Sequence, residues 1–98
     1  MENEYLYQIR VTRLGMLTDQ PTEYENQVVS DHFSYLQRLK EQGVVKLAGR
    51  TLNSDEHTFG IVIFMASSDL RAAQIMNDDP AIKFKVMVGE LYPFRTAV

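Results

Sequence analysis

Histidine has an ordinary pKa near ~6.5, so it can take and return a proton close to neutral pH. One of the two histidines in this chain, His32, falls within a helical stripe formed by Val28, Tyr35, Leu36 and Leu39. A polar group in such a setting needs a hydrogen-bond partner. Two readings follow. His32 is a core residue satisfied by a carbonyl or carboxylate, or it is a general base or acid between helix and sheet. Asp79, directly before Pro80, is the candidate partner, because helical periodicity carries it onto the inward side while Asp78 turns to solvent. The bland reading of Asp-Pro is a helix stop. Paired with an inward His32, Asp79 would fix the tautomer and orientation of the imidazole.

Other residues could hold a ligand. Gly49 permits close approach of a ligand or another backbone, and Arg50 could grip a carboxylate or phenolate. The alternative for Arg50 is a solvated strand end. Tyr7 and Tyr35, with Tyr5 and Tyr92, either line a cavity for an aromatic or apolar ligand or belong to the core. His57 sits in the polar stretch Asn53–His57 and is expected to be exposed. The two histidines lack local metal-ligand spacing, so no metal site is expected. Nucleotide-binding glycine loops, HExxH and GxSxG are absent. No cofactor is expected.

The elements that must position these residues follow from periodicity. Tyr5, Tyr7, Ile9 and Val11 alternate with Leu6, Gln8, Arg10 and Thr12 and read as a strand, with residues 14–21 as a loop. Thr22 and Glu25 fit a capping box that opens a helix over 22–42, and Gly43 suits the left-handed position closing it. Val44–Thr51 reads as a second strand, with Val45, Leu47 and Gly49 on one side and Ala48 and Arg50 on the other. Phe59–Ala66 is apolar on both faces, as a central strand would be. Ser67 and Ser68 offer N-caps to a second helix carrying Ala72, Ala73 and Met76, which Pro80 stops. Lys85–Tyr92 reads as the fourth strand.

The order β-α-β-β-α-β is the ferredoxin-like pattern. It predicts a four-stranded antiparallel sheet with the first and third strands central. Right-handed crossovers place both helices on one face. The other face still carries apolar residues, so the expectation is a homodimer packed through its sheet faces. Association beyond the dimer stays open.

The chain has 98 residues, 45% of them hydrophobic, with no cysteine and a net charge of −3. One domain over residues 1–98 is expected. Disulfide scaffolds and thiolate chemistry are excluded, and the acidic balance argues against a nucleic-acid partner. The acidic start differs from a signal peptide, and the apolar run around Gly60–Ala66 is far short of the ~20 residues a spanning helix needs. A cytoplasmic protein without membrane association is expected.

Certain residues together resemble the YciI-like (YCII-related) family. They are the run from His32-Phe33-Ser34-Tyr35-Leu36 through Leu39 and Gly43 to Leu47-Ala48-Gly49-Arg50. To these add Phe59–Val62, Ala72 and Ala73, Asp79-Pro80 and Glu90–Phe94. The resemblance implies a dimeric α+β barrel of ferredoxin-like subunits, and a catalytic His–Asp pair that falls on His32 and Asp79. It also suggests a cofactor-free lyase, isomerase or dehydrochlorinase-type reaction on a small cyclic or aromatic molecule. The alternatives are a non-catalytic small-ligand-binding module, an oxygen-using relative of the same barrel class, and a pure assembly subunit. Three places depart from the pattern. Some relatives carry arginine where this chain has Val29, some have Gly-Pro at Gly49-Arg50, and Lys83-Phe84-Lys85 is bulkier than usual. Arg50 is the expected replacement for the missing basic group.

Overall fold

A computed structural model describes residues 2–98. The strands are β1 (Asn3–Val11), β2 (Val45–Arg50), β3 (Gly60–Ala66) and β4 (Met87–Pro93). The helices are α1 (Gly15–Thr18), α2 (Glu23–Glu41), α3 (Asp69–Asp78) and α4 (Pro80–Lys83). The strands form one antiparallel sheet in the order β2-β3-β1-β4. The two strands richest in buried side chains are thus central, as a ferredoxin-like α+β fold requires. No helix is long and apolar enough to cross a membrane, among the described residues.

Alternation decides the faces. Tyr5, Tyr7 and Ile9 stand opposite Phe64, Val62 and Gly60 and make the helix-side core, which α2 and α3 cover. The Tyr7 and Phe64 rings meet edge-on at 5.6 Å between centroids. α2 is built as its sequence indicates. Thr22 accepts from the Glu25 N–H while Glu25 accepts from the Thr22 N–H, and Val28, His32, Leu36 and Leu39 are buried. Gly43 lies at φ 77°, where a side chain is strained.

Four local readings are corrected. Residues 14–21 are not all loop, since α1 occupies part of them. β2 does not alternate simply, because the register shifts between Val45 and Leu47. That bulge lets Val45, opposite Phe64, share the helix side with Ala48, opposite Val62. Leu47 pairs with Ile63 on the outer face and is 50% exposed. The buried residues of α3 are Ala72 and Ile75, with Ala73 and Met76 half-buried. Finally, β4 starts at Met87 rather than Lys85, because Lys85 sits at φ 65° and turns the chain.

Pro80 has two effects. α3 ends before it, and α4 begins on it, with Pro80 in the first turn, where its missing N–H breaks no helical bond. Asp79 stands between the two helices at φ −59°, ψ 121°, outside helical geometry.

Among the described residues, no element covers the outer sheet face. Leu6, Ile61, Ile63 and Met65 occupy its middle, while Val88 and Tyr92 are 55% and 45% exposed on its β4 side. Gly43→Ala should lower stability by about 1 kcal/mol, read as a reduced thermal midpoint, because alanine must adopt the left-handed conformation closing α2.

Candidate functional site

Asp79 is fully buried, yet every hydrogen bond it needs is present. The Tyr7 hydroxyl, from central strand β1, donates to Oδ2 at 2.7 Å. The Ala81 backbone N–H, in the first turn of α4, donates to Oδ1 at 3.0 Å. His32 Nδ1, from α2, lies 2.7 Å from Oδ1 and 2.9 Å from Oδ2. One carboxylate thus joins a strand and two helices. It is also the side-chain N-cap of α4, where a negative charge suits the helix dipole.

The donor inventory sets the tautomer. A carboxylate only accepts, so a neutral His32 carries its proton on Nδ1 and leaves Nε2 with a lone pair. Nε2 has no hydrogen-bond partner among the described residues. Among the described residues no buried side-chain polar atom lacks one, so Nε2 is not sealed in protein. His32 lines a cavity of about 290 Å³.

That cavity lies between the first half of α2 and the sheet. Asn26, Val29, His32, Phe33 and Leu36 form one wall, while Ile9, Ala48, Phe59, Val62 and Met87 contribute to the other. Met16 and Leu17 of α1, with Pro21, close a third side. The surroundings are mainly apolar, which strengthens any charge interaction made inside. Gly60 is close to its neighbours here. A Cβ on it would stand 2.9 Å from the Ile9 side chain.

The segment carrying α1 is tied down by one carboxylate. Glu25 receives the Arg13 guanidinium through both oxygens, at 2.9 Å and 2.6 Å, while Arg13 also donates to the Gln20 carbonyl at 3.0 Å. The capping glutamate therefore also fastens the cavity wall. The Arg13 hydrogen bonds, then the Thr22 N–H, hold the Glu25 carboxyl down at about 2.

The expected site residues separate into two groups. His32, Gly49 and Arg50 line the cavity, and Asp79 lies directly behind His32. Arg50 makes no side-chain hydrogen bond or ion pair among the described residues, so its guanidinium is unspent. Tyr7 and Tyr35, read as ligand contacts, are not in the lining. Tyr7 is fully buried and its hydroxyl belongs to Asp79. The Tyr35 hydroxyl donates to the Ile75 carbonyl at 2.7 Å, and burial, then Asp78 and Asp79, push it up to about 12. Tyr5 is likewise engaged with Asp69 at 2.6 Å, and Tyr92 with Glu90 on the exposed side.

Sequence reasoning missed Arg10, Phe33 and the α1 wall. Arg10 lines the cavity but is committed, donating to the Thr58 carbonyl at 3.3 Å and lying 5.4 Å over the Phe59 ring. Phe33 is 56% exposed and stands 5.4 Å from the His32 ring. Its adjacency to His32 was the available signal. His57 is exposed beside Glu56, and no group of three potential metal ligands exists among the described residues.

A family model for the YCII-related domain matches residues 12–95. No curated protein matches the chain. Among solved structures, the chain is similar to 5-chloro-2-hydroxyhydroquinone dehydrochlorinase from Burkholderia phenoliruptrix AC1100, in complex with 2,5-dihydroxybenzoquinone. The TM-score is 0.67, at 19% identity, covering 95% of each chain. An uncharacterised protein from Thermotoga maritima matches with TM-score 0.59 at 11% identity, over 97% of this chain and all of that one. At these identities the likeness establishes the shared fold.

The Glu25 tether has a pH signature. Its carboxyl is depressed in the folded state, so its contribution is full above the usual glutamate value near 4.5 and is lost as pH falls toward 2. Glu4, held by Lys46 and Thr96, behaves alike. Glu25→Gln should flatten part of the fall in thermal midpoint between pH 5 and pH 2, measured by circular dichroism. An unchanged slope would show that the Arg13 pair contributes nothing.

Proposed function

The chain belongs to the YCII-related family, and from that premise and the cavity's geometry we propose a cofactor-independent acid–base enzyme acting on a small cyclic or aromatic molecule. The single observation carrying this reading is His32, with Nδ1 on buried Asp79 and its side chain in the lining of a largely apolar cavity. His32 Nε2 takes a proton from an O–H or C–H of the bound ring. Asp79 accepts from Nδ1 and stabilises the imidazolium that forms. Arg50 faces the negative charge developing on a ring oxygen. In an elimination, the electron pair of the broken bond expels the leaving group as an anion, and the imidazolium later returns its proton to solvent. In an isomerisation, it returns the proton to another ring position. The cavity's volume suits a single-ring ligand. The dehydrochlorinase of similar fold, seen with a dihydroxybenzoquinone, supports trying this substrate class first.

The reading includes a homodimer. Its support is the outer sheet face, where Ile61, Ile63 and Met65 lie beside the exposed Leu47 and Val88. Soluble monomers rarely leave such a face bare. A chain without cysteine suits a cytoplasmic setting, and its net charge of −3 favours no nucleic-acid partner.

Three measurements test these statements. Against halogenated and unhalogenated benzenetriols and benzenediols, His32→Ala should cut kcat by about 10²–10⁴ while the fold is retained. Arg50→Ala should weaken ligand binding roughly tenfold or more. Binding without turnover across the panel would instead identify a ligand-binding module. For assembly, Leu47→Glu with Val88→Glu should convert a dimer to a folded monomer in sedimentation velocity. A wild-type monomer would refute the dimer.

A further inference from the structure

Tyr7 is a buried phenol that the proposed chemistry leaves unused. It stands on the central strand β1, with no exposed surface and no access to the cavity. Its hydroxyl hydrogen donates to Asp79 Oδ2, the oxygen that also lies 2.9 Å from His32 Nδ1. The phenol and the imidazole therefore compete for electron density on one carboxylate. The other oxygen is shared between His32 and the Ala81 N–H. Both non-histidine donors belong to fixed elements, one in the sheet core and one in the first turn of α4. Together they fix the plane of the carboxylate, and that plane fixes the ring.

We propose that Tyr7 is a positioning residue that sets the base strength of His32 through Asp79. This rests on the acid–base reading of the same site, but it concerns only the coupling of three side chains. A phenol donating to the carboxylate draws negative charge away from the imidazole. It thereby limits how strongly Asp79 stabilises the imidazolium, so that Nε2 remains a free base to lower pH. Without the hydroxyl, Asp79 would act on His32 with its full charge, and His32 would stay protonated to higher pH. A phenol remains a donor here across the working range. Burial, then the charge of Asp79, push the Tyr7 hydroxyl far above its usual range, so it does not ionise in competition.

The surroundings add few other charges. The groups converging on this carboxylate are Tyr7 from β1, His32 from α2 and the Ala81 N–H from α4. Tyr35 of α2 acts on Tyr7 from further off and is influenced by Asp78, Asp79, Arg71 and Arg38. Its own hydroxyl is tied to the Ile75 carbonyl. Among the described residues, Tyr7 alone supplies a side-chain hydroxyl to Asp79.

The test needs no substrate. The imidazole of His32 is titrated by heteronuclear NMR in the full chain, with His57 as the internal control because it is exposed and unconnected to Asp79. In Tyr7→Phe the His32 midpoint should rise by about half a unit or more, a threefold or larger change in the protonation constant. His57 should not move. A second variant places 3-fluorotyrosine at position 7, a stronger donor of nearly the same shape, and should move the midpoint the opposite way. This keeps the question answerable if Tyr7→Phe fails to fold. Unchanged His32 midpoints, or equal shifts at His57, would overturn the inference and leave Tyr7 a packing residue. Opposite shifts in the two variants, without turnover of any compound, would retain the coupling while refuting the enzyme reading.

Discussion

The arrangement depends on one buried carboxylate whose charge the protein must satisfy with its own groups. An isolated carboxylate away from water is costly, and the cost is offset only when its lone pairs are filled. Asp79 meets this through a phenol, a backbone amide and an imidazole. Each comes from a different element, so β1, α2 and the α3–α4 junction must all arrive together. The same three contacts that make Asp79 tolerable hold His32 by Nδ1 and leave Nε2 without a partner among the described residues. Stability and the proposed chemistry thus rest on a shared set of hydrogen bonds.

The cavity beside His32 is a consequence of the sheet's local irregularities. The bulge in β2 turns Ala48 and Arg50 toward the helices at the end of the strand, where α2 does not fill the space. Gly60 keeps β3 free of a side chain against Ile9. The segment with α1 then closes the remaining side, held by Arg13 on the capping glutamate of α2. Helix initiation and the cavity wall are therefore linked through Glu25.

Charge is distributed unevenly around this space. Arg10 spends its guanidinium on a carbonyl and an aromatic face, whereas Arg50 spends none. At Val29 the wall is apolar, and Arg50 is an unspent cation in the same lining. This distribution favours a ligand with an apolar body and one anionic or developing anionic oxygen, in line with the chemistry proposed for the site.

The type and order of the four strands and the two long helices were readable from local pattern, whereas the short α1 and α4 were not. Period-two alternation revealed β1, the Thr22–Glu25 pair revealed the start of α2, and an inward His32 and Asp79 followed from helical spacing. Hydrophobic periodicity and capping are local, so a single chain carries them openly. The failures arose where partners lie far apart in sequence. Tyr7 and Tyr35 looked like ligand contacts, because nothing near them announces Asp79 or the Ile75 carbonyl as their partners. The β2 bulge escaped because strand phase is decided by pairing with β3, not by β2 alone. Asp79 was placed inward for an incomplete reason, since the chain has already left α3 there and the side chain is held as the cap of α4. The sequence by itself determined which residues could hold a proton and which elements would carry them. Only tertiary packing decided which hydroxyls were already spent, because hydrogen-bond partners 40 to 72 residues apart are chosen when the elements meet.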